Sequence, residues 1–184
     1  IAKDAVAIVL DHSLNRGQGA ALETGTNYAL KKGAELIVHF DADGQFLVDD
    51  INEIIKPIID NEADVVMGTR FMDKKSNMPR FKKYFIMPIA RLVMKLLYSA
   101  ELTDPQNGFR AFNKRVATEL TIENDGAAHC TEIIVKTLKN KWRYREVPIT
   151  VHYDRFGASI FSGKGRGAGG IKILKSLFYQ KLIK

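Results

Sequence analysis

The sequence is poor in cysteine and has no long apolar run, and each shortage excludes a class of protein. Cys130 is the only cysteine among 184 residues, so no disulfide can form within the chain and a reducing compartment fits. No stretch of 18 apolar residues occurs, because the best candidate, 85–98, is interrupted by Pro88, Arg91 and Lys95. The first residues also lack the pattern of a secretory signal. We therefore expect a cytoplasmic location and no span within this sequence.

Positive charge is concentrated at the end of the sequence. The net charge is +7, and residues 139–184 hold eleven lysines and arginines against two acids, whereas the first 138 residues sum to −2. Such a basic end indicates an anionic neighbour, which could be phospholipid, nucleic acid or a phosphorylated substrate. A solvated basic tail that binds nothing is the alternative.

Short apolar runs alternate with helical patterns in the first half of the sequence. The patterns predict strands at 5–10, 35–40 and 63–67, with helices between them at 20–32 and 49–61. This alternation indicates βαβ units and an α/β fold with a parallel sheet.

The second half is less regular. Its patterns predict helices at 81–100 and 131–138 and extended segments at 109–112 and 144–151. Residues 163–170 are rich in glycine and predict a linker, and residues 171–184 predict a basic amphipathic helix.

Two aspartates directly follow the second predicted strand, in segment 41–45 (DADGQ). The carboxylates of Asp41 and Asp43 can reach one point if the chain turns at Gly44. Hard oxygen ligands suit Mg²⁺ or Mn²⁺, which would also hold substrate phosphate oxygens. Because open α/β sheets bind ligands at the carboxyl ends of their strands, we predict a metal and diphosphate site here. An ordinary surface turn is the alternative.

A glycine loop, 15–21 (NRGQGAA), opens the first predicted helix. Gly17 and Gly19 would let backbone N–H groups approach a phosphate at the helix N-terminus. A strand, G-x-G and helix also outline a dinucleotide-binding oxidoreductase. Against that alternative, six residues separate the strand from Gly17, and Leu22 stands in place of the third glycine.

Five segments occur in an order that resembles family-2 glycosyltransferases, and most closely the polyprenyl-phosphate sugar synthases of the dolichyl-phosphate mannosyltransferase type. They are NRGQGAA (15–21), VHFDADGQF (38–46), VMGTRF (66–71), DPQNGFRAF (104–112) and VPITVHYDRFGAS (147–159). The resemblance implies a GT-A fold with a Rossmann-like, mainly parallel sheet flanked by helices. It also implies inverting, metal-dependent transfer of a sugar from a nucleotide diphosphate to a polyprenyl phosphate. We accordingly expect a catalytic domain over 1–162 and a basic tail over 163–184.

The resemblance also assigns roles by position. The donor diphosphate and metal fall to Asp41, Asp43 and Gln45, with Gly17 and Gly19 beside the donor. The segment containing Asp104, Asn107, Gly108, Phe109 and Arg110 would build the cleft between donor and acceptor. The expected phosphate contacts are Arg70, Arg110, Arg155 and Ser159, to which the basic helix 81–100 adds Arg91. The expected catalytic residues are Asp43, Asp104, Glu132 and Arg155. An ordinary ion pair between Arg110 and Glu132 is an alternative for those two residues.

The nature of the acceptor decides whether a base is needed. A phosphate oxygen is already ionised near neutral pH, whereas a hydroxyl acceptor would need a base, for which Glu132 or Asp104 are the candidates. Segment 81–100 mixes basic and large apolar residues, among them Arg91, and this is typical of a helix at a bilayer surface. A buried helix with snorkelling bases is the alternative. We expect a peripheral enzyme on the inner membrane face that binds no nucleic acid.

Compared with the family pattern, the first predicted strand leads directly into the glycine loop. At least one βα unit, on the order of 30 residues, is then missing before it. We expect a sheet truncated at its N-terminal side, whose first strands come from a longer parent protein, a partner chain or self-association. The remaining alternatives are a family-2 transferase acting on a saccharide or protein hydroxyl, and a nucleotide-binding module without turnover.

Overall fold

The computed structural model describes residues 7–72, 84–85, 87–98 and 101–152. Over these ranges the elements, in chain order, are α1 (Gln18–Lys31), β1 (Leu36–His39), α2 (Asp50–Ile59), β2 (Val65–Thr69), α3 (Met87–Tyr98), β3 (Arg110–Asn113), α4 (Lys114–Glu119), α5 (His129–Lys139) and β4 (Tyr144–Pro148). The predicted linker, the C-terminal helix and the boundary at residue 162 lie outside the described residues, as do Arg155 and Ser159. Within the described ranges, no helix combines the length and apolarity needed to cross a membrane.

The four strands form one mixed sheet in the order β1-β3-β2-β4. Strands β2 and β4 pair in parallel, whereas β3 lies between β1 and β2 and runs antiparallel to both. Three of the four strands therefore share one direction, as the βαβ pattern predicts, and β3 runs against them. A mixed sheet of this kind differs from the sheet of parallel strands that binds dinucleotides.

Both faces of the sheet are covered, which explains why its strands are apolar throughout. Val65 and Met67 of β2 face a core that includes Ile133 of α5, while Val66 faces a second core around Ile54 of α2. All five residues of β2 are buried. A strand buried on both faces has a continuous apolar run rather than an alternating pattern, and 63–67 is such a run.

Two elements differ from the sequence-based expectation. Residues 7–10, the described part of the predicted strand 5–10, form no strand, and Ile8 is 69% exposed. A strand needs a hydrogen-bonded neighbour, and residues 7–10 take no part in the ladders of the four-stranded sheet. Helix α4 gives no periodic signal because it has only six residues. The Asn113 side chain caps it by accepting a hydrogen bond from the amide of Val116 at 2.9 Å.

Candidate active site

One edge of the sheet collects the polar segments that the sequence singles out. Strand β1 ends at His39 and leads to Asp41 and Asp43, and β2 ends at Thr69 and leads to Arg70. Because β3 runs antiparallel to both, its first residue, Arg110, lies at this same edge. The topology therefore brings the segments 38–46, 66–71 and 104–112 together, as their order in the sequence predicts.

The two carboxylate oxygens of Asp41 have different surroundings. The Gln18 side-chain amide donates to Oδ1 at 2.6 Å. On the other side, a Cβ added to Gly108 would lie only 3.1 Å from Oδ2. Burial raises the pKa of Asp41; the Gln18 hydrogen bond opposes this effect, and the nearby charge of Asp43 adds to it. Two carboxylates that repel one another at a sheet edge are an arrangement that a cation would stabilise.

The turn that carries Asp43 has the predicted form. Gly44 has a φ of 78°, a conformation that favours glycine, and the Gln45 amide donates to Asp43 Oδ1 at 3.0 Å. The Gln45 carbonyl in turn accepts from the amide of His152 at 2.9 Å, next to an isolated bridge between 46 and 151. The segment after β4 therefore fixes this turn.

The donor set of Asp41 and Asp43 fits Mg²⁺ or Mn²⁺. Such ions are commonly held by one or two carboxylates together with substrate phosphates and water. Among the residues that the structure describes, no group of three His, Cys, Asp or Glu side chains could hold a metal ion. A site of two carboxylates completed by the substrate is the type that these residues can form.

Arg70 and Asp104 form a buried ion pair. The Arg70 Nε and Nη2 atoms each lie 2.5 Å from an oxygen of Asp104, and the two side chains are 7% and 0% exposed. The Arg70 backbone amide and the Asn107 side chain also donate to Asp104, at 3.2 and 3.3 Å. The Asp104 carboxylate is thus fully engaged, which does not fit the predicted role as a base. A contact between Arg70 and a phosphate stays a prediction.

Glu146 of β4 binds the backbone next to the Arg70–Asp104 pair, and no sequence pattern singles it out. Its carboxylate accepts from the Thr103 amide at 2.9 and 3.0 Å, from the Thr103 hydroxyl at 3.0 Å and from the Asp104 amide at 3.1 Å. The one available signal was an acid within an otherwise basic and apolar strand. Through these bonds β4 fixes the backbone that presents Asp104 to Arg70.

Arg91 extends from α3 to the same corner. Its Nε donates to the Thr103 carbonyl at 2.5 Å, and its guanidinium lies 4.1 Å from the centre of the Phe71 ring. The buried Nη2 has no hydrogen-bond partner among the described residues. Arg91 therefore has one buried donor, unpaired within the described part of the chain, next to the Arg70–Asp104 pair, and its contact with an acceptor phosphate stays a prediction.

Arg110 lies inside the protein and not on an open surface. It is 1% exposed, and its Nε and Nη1 have no hydrogen-bond partner among the described residues. Burial lowers the pKa of Arg110, while Cys130, Asp104 and Asp41 oppose this effect. The alternative of an ion pair with Glu132 is wrong, because Glu132 pairs with Lys136 at 2.8 Å. Direct contact of Arg110 with an acceptor phosphate stays a prediction, and its burial does not favour it.

Glu132 fixes a loop instead of facing the site. Its carboxylate accepts from the amides of Glu123 and Asn124 at 2.9 Å and from the Asn124 side chain at 2.8 Å. Burial raises the pKa of Glu132, but the hydrogen bonds from Lys136 and from this loop outweigh it and leave the pKa below its ordinary value. These contacts do not fit the predicted catalytic role of Glu132.

The glycine loop packs against the loop that Glu132 holds. The Gly19 amide donates to the Asp125 carbonyl at 2.8 Å, so that amide is not directed at a ligand. A Cβ on Gly17 would lie 2.4 Å from the Asp125 oxygen, and one on Gly19 would lie 1.9 Å from the Asn124 oxygen. Close packing therefore explains both glycines, and a donor contact through the Gly19 amide would require this bond to break.

Comparisons with known proteins point to one family. Residues 1–121 match the model of the family Glycosyl transferase family 2. The UDP-N-acetylglucosamine–dolichyl-phosphate N-acetylglucosaminyltransferase of Methanococcus voltae is 34% identical over 180 residues, which cover 96% of this chain and 68% of that protein. The polyprenol monophosphomannose synthase of Mycolicibacterium smegmatis is 25% identical over 160 residues, which cover 84% of this chain and 60% of that protein.

Solved structures show the same fold. Glucosyl-3-phosphoglycerate synthase from Mycobacterium tuberculosis, crystallised with Mn²⁺ and UDP-glucose, superposes with a TM-score of 0.72 at 16% identity. The match covers all of this chain but 63% of the mycobacterial chain. At this identity the likeness establishes the GT-A fold alone, and this chain spans less than two thirds of that structure.

Proposed function

Since the chain belongs to glycosyl transferase family 2, we propose that it transfers a sugar from a nucleotide diphosphate to a polyprenyl-type phosphate. The observation that carries the proposal is the placement of Asp41 and Asp43 at one sheet edge, together with the buried pair of Arg70 and Asp104. The names of the M. voltae and M. smegmatis relatives support a lipid-phosphate acceptor. The Mn²⁺ and UDP-glucose of the mycobacterial structure support the donor and the metal.

The donor diphosphate would bind beside Asp41 and Asp43, which follow the end of β1. These two carboxylates would hold Mg²⁺ or Mn²⁺, which when bound stabilises the charge of a leaving diphosphate. The turn at Gly44 and the hydrogen bond from the Gln45 amide keep Asp43 in position. The protein would therefore orient the donor, and the metal that it binds would balance the negative charge of the diphosphate.

The contacts of Asp104 and Glu132 favour a phosphate acceptor over a hydroxyl acceptor. A general base must have an accessible oxygen and a pKa near the working pH, whereas Asp104 is committed to Arg70 and the pKa of Glu132 is lowered. An ionised phosphate oxygen needs no base. In the proposed reaction this oxygen forms a bond to the anomeric carbon as the bond from that carbon to the nucleoside diphosphate breaks, with inversion.

Arg91 is our candidate to receive the acceptor phosphate, because its side chain is only half-buried whereas that of Arg110 is fully buried. Its Nη2 is buried without a partner among the described residues, and its Nε already anchors it to the Thr103 carbonyl. A guanidinium held in this way loses little freedom when it binds a phosphate oxygen. The predicted contacts of Arg155 and Ser159 remain part of the proposal.

Helix α3 supports attachment to a membrane surface. Its inner side buries Met87 and Met94, while Ile89, Leu92 and Leu96 are 48%, 56% and 70% exposed. Large apolar side chains exposed along one side of a helix are typical of helices that lie in the headgroup region of a bilayer. The proposed acceptor would then reach Arg91 from the membrane, at its cytoplasmic face.

The metal role can be tested with Asp43→Asn. UDP affinity is measured by calorimetry with and without Mn²⁺, and sugar transfer from UDP-sugars to a polyprenyl phosphate is measured in parallel. We expect the variant to lose roughly tenfold or more of the Mn²⁺-dependent gain in affinity. Asp49→Asn, which alters an exposed acid whose side chain makes no capping hydrogen bond, is the matched control.

Two outcomes would reject parts of the proposal. An equal Mn²⁺-dependent gain in Asp43→Asn and in the parent would remove the metal role. UDP binding without transfer to any polyprenyl phosphate would leave a nucleotide-binding module instead of an enzyme with this acceptor.

A further inference from the structure

We infer that Gln18 is a positioning residue for Asp41, and that the loop 122–125 sets its place. The inference rests on the proposed metal role of Asp41 and names a residue to which neither the sequence patterns nor the resemblance gives a role. Gln18 is exposed, so it is not needed to fill the core. Its side chain reaches across 23 positions of sequence to donate to Asp41 Oδ1 at 2.6 Å.

The Gln18 hydrogen bond orients Asp41. A short hydrogen bond to an ionised oxygen is stronger than one between neutral groups, so the Gln18 amide fixes the rotation of the carboxylate. The absence of a side chain at Gly108 leaves room beside the other oxygen, since a Cβ there would lie 3.1 Å from Oδ2. A carboxylate that is already oriented loses less freedom when it binds an ion.

The position of Gln18 is itself fixed by its two neighbours. Gly17 and Gly19 pack so closely on the backbone of 124–125 that no side chain fits at either position. The Gly19 amide bonds the Asp125 carbonyl at 2.8 Å, and the Arg16 side chain pairs with the Asp125 carboxylate at 3.0 and 3.2 Å. Contacts on both sides of Gln18 therefore fix the start of α1 against residues 124–125.

The loop that receives this turn is held from two helices. Glu132 of α5 binds the amides of Glu123 and Asn124, and Glu23 of α1 accepts from the Ile122 amide at 2.7 Å. A chain of contacts therefore runs from α5 through the loop and Gln18 to Asp41. In this arrangement Glu132 acts on the site through position and not through chemistry.

The test replaces Gln18 by methionine, which keeps the length of the side chain and removes its donor. Mn²⁺ is titrated into the full chain with UDP present at a fixed concentration, and free Mn²⁺ is followed by its electron paramagnetic resonance signal. We expect Gln18→Met to raise the Mn²⁺ dissociation constant about tenfold with little change in melting temperature. Asn52→Met, which removes an exposed amide from α2 and so does not touch the loop 122–125, should leave the constant unchanged.

A second variant reaches Asp41 from the other side. Gly108→Ala places a methyl group against Oδ2 and should also weaken Mn²⁺ binding. Gly25→Ala is its control, because a Cβ at that position of α1 meets nothing within 4 Å.

Unchanged or tighter Mn²⁺ binding in Gln18→Met would overturn the inference, since the amide would then be neutral or would compete with the ion for Oδ1. Asp41→Asn separates this failure from that of the proposed function. If Asp41→Asn weakens Mn²⁺ binding and Gln18→Met does not, the positioning role alone fails. If Asp41→Asn has no effect, the metal site itself is wrong.

Discussion

At the scale of one residue, Asp104 shows how a buried carboxylate can be committed to an ion pair. Its carboxylate is 0% exposed and receives two short bonds from Arg70. Removing one partner of a buried pair leaves the other charge uncompensated, which commonly costs about 3–5 kcal/mol. Asp104→Asn should therefore lower the free energy of unfolding by about 3 kcal/mol, as measured by urea denaturation.

The exposed pair of Lys95 and Glu101 provides the control. Its charged groups are 2.8 Å apart, as in many ion pairs, but their side chains are 65% and 76% exposed. Glu101→Gln should change stability little because water and salt screen such a pair. If Asp104→Asn proved as stable as the parent, the Arg70 guanidinium would have to reach solvent in the variant.

Residues whose role depends on local chemistry could be predicted, and residues whose role depends on distant contacts could not. Asp41 and Asp43 follow a strand and turn at Gly44, and the structure confirms that placement. Gln18 and Glu146 act on partners 23 and 42–43 positions away. No spacing in one sequence reveals such partners, because they meet only when the sheet forms.

The same limit appears at the scale of elements. The helices α1, α2 and α5 and the strands β1 and β2 were predicted close to their observed bounds because each has a clear period or a buried run. The direction of β3 was not predicted, since a strand of only four residues (RAFN) can pair in either direction until its neighbours are known. Residues 7–10 show the converse, since their apolar run forms no strand.

Helix α3 gives a prediction at this scale. Replacing Leu92 and Leu96 by serine removes two exposed apolar side chains without changing charge. Burying one leucine in an apolar environment is worth about 1.5–3 kcal/mol, so binding to vesicles that contain phosphatidylglycerol should weaken by at least roughly tenfold. Sedimentation of the protein with such vesicles measures the change.

Ile59→Ser is the matched control, because Ile59 is 66% exposed but lies at the end of α2. Its vesicle binding should equal that of the parent. Equal losses of vesicle binding in the control and in the α3 variant would indicate non-specific hydrophobic binding. No loss in either variant would show that α3 does not contact the membrane.

For the whole molecule, the buried charged and polar groups make stability depend on pH. Hydrogen bonds from Arg143 lower the pKa of Asp64 to about 2, and the pKa of Glu132 is also lowered. Burial, with help from the nearby Arg110 charge, lowers the pKa of His39 to about 3. Asp41 acts in the opposite sense, because burial raises its pKa. Asp64, Glu132 and His39 lose their contribution to stability as the pH falls. Each does so over its own pH range, which lies between its pKa values in the unfolded and folded states.

The pH window of His39, between its pKa values in the unfolded and folded states, is wider than that of Asp64. An unfolded histidine gains its proton near pH 6.5, whereas His39 in the folded protein stays neutral down to about pH 3. Between these values the unfolded state binds more protons, so the free energy of unfolding should fall as the pH falls, by about 1.4 kcal/mol per pH unit in the middle of the window.

His39→Gln keeps a polar partner for Thr26, which bonds His39 at 3.0 Å, and removes the titration. Urea denaturation at pH 6.5, 5.5 and 4.5 should therefore give a shallower loss in the variant than in the parent, and because Asp41, Asp64 and Glu132 titrate in both proteins, the difference isolates His39. Parallel pH profiles would mean that water or movement of the strand lets His39 protonate in place.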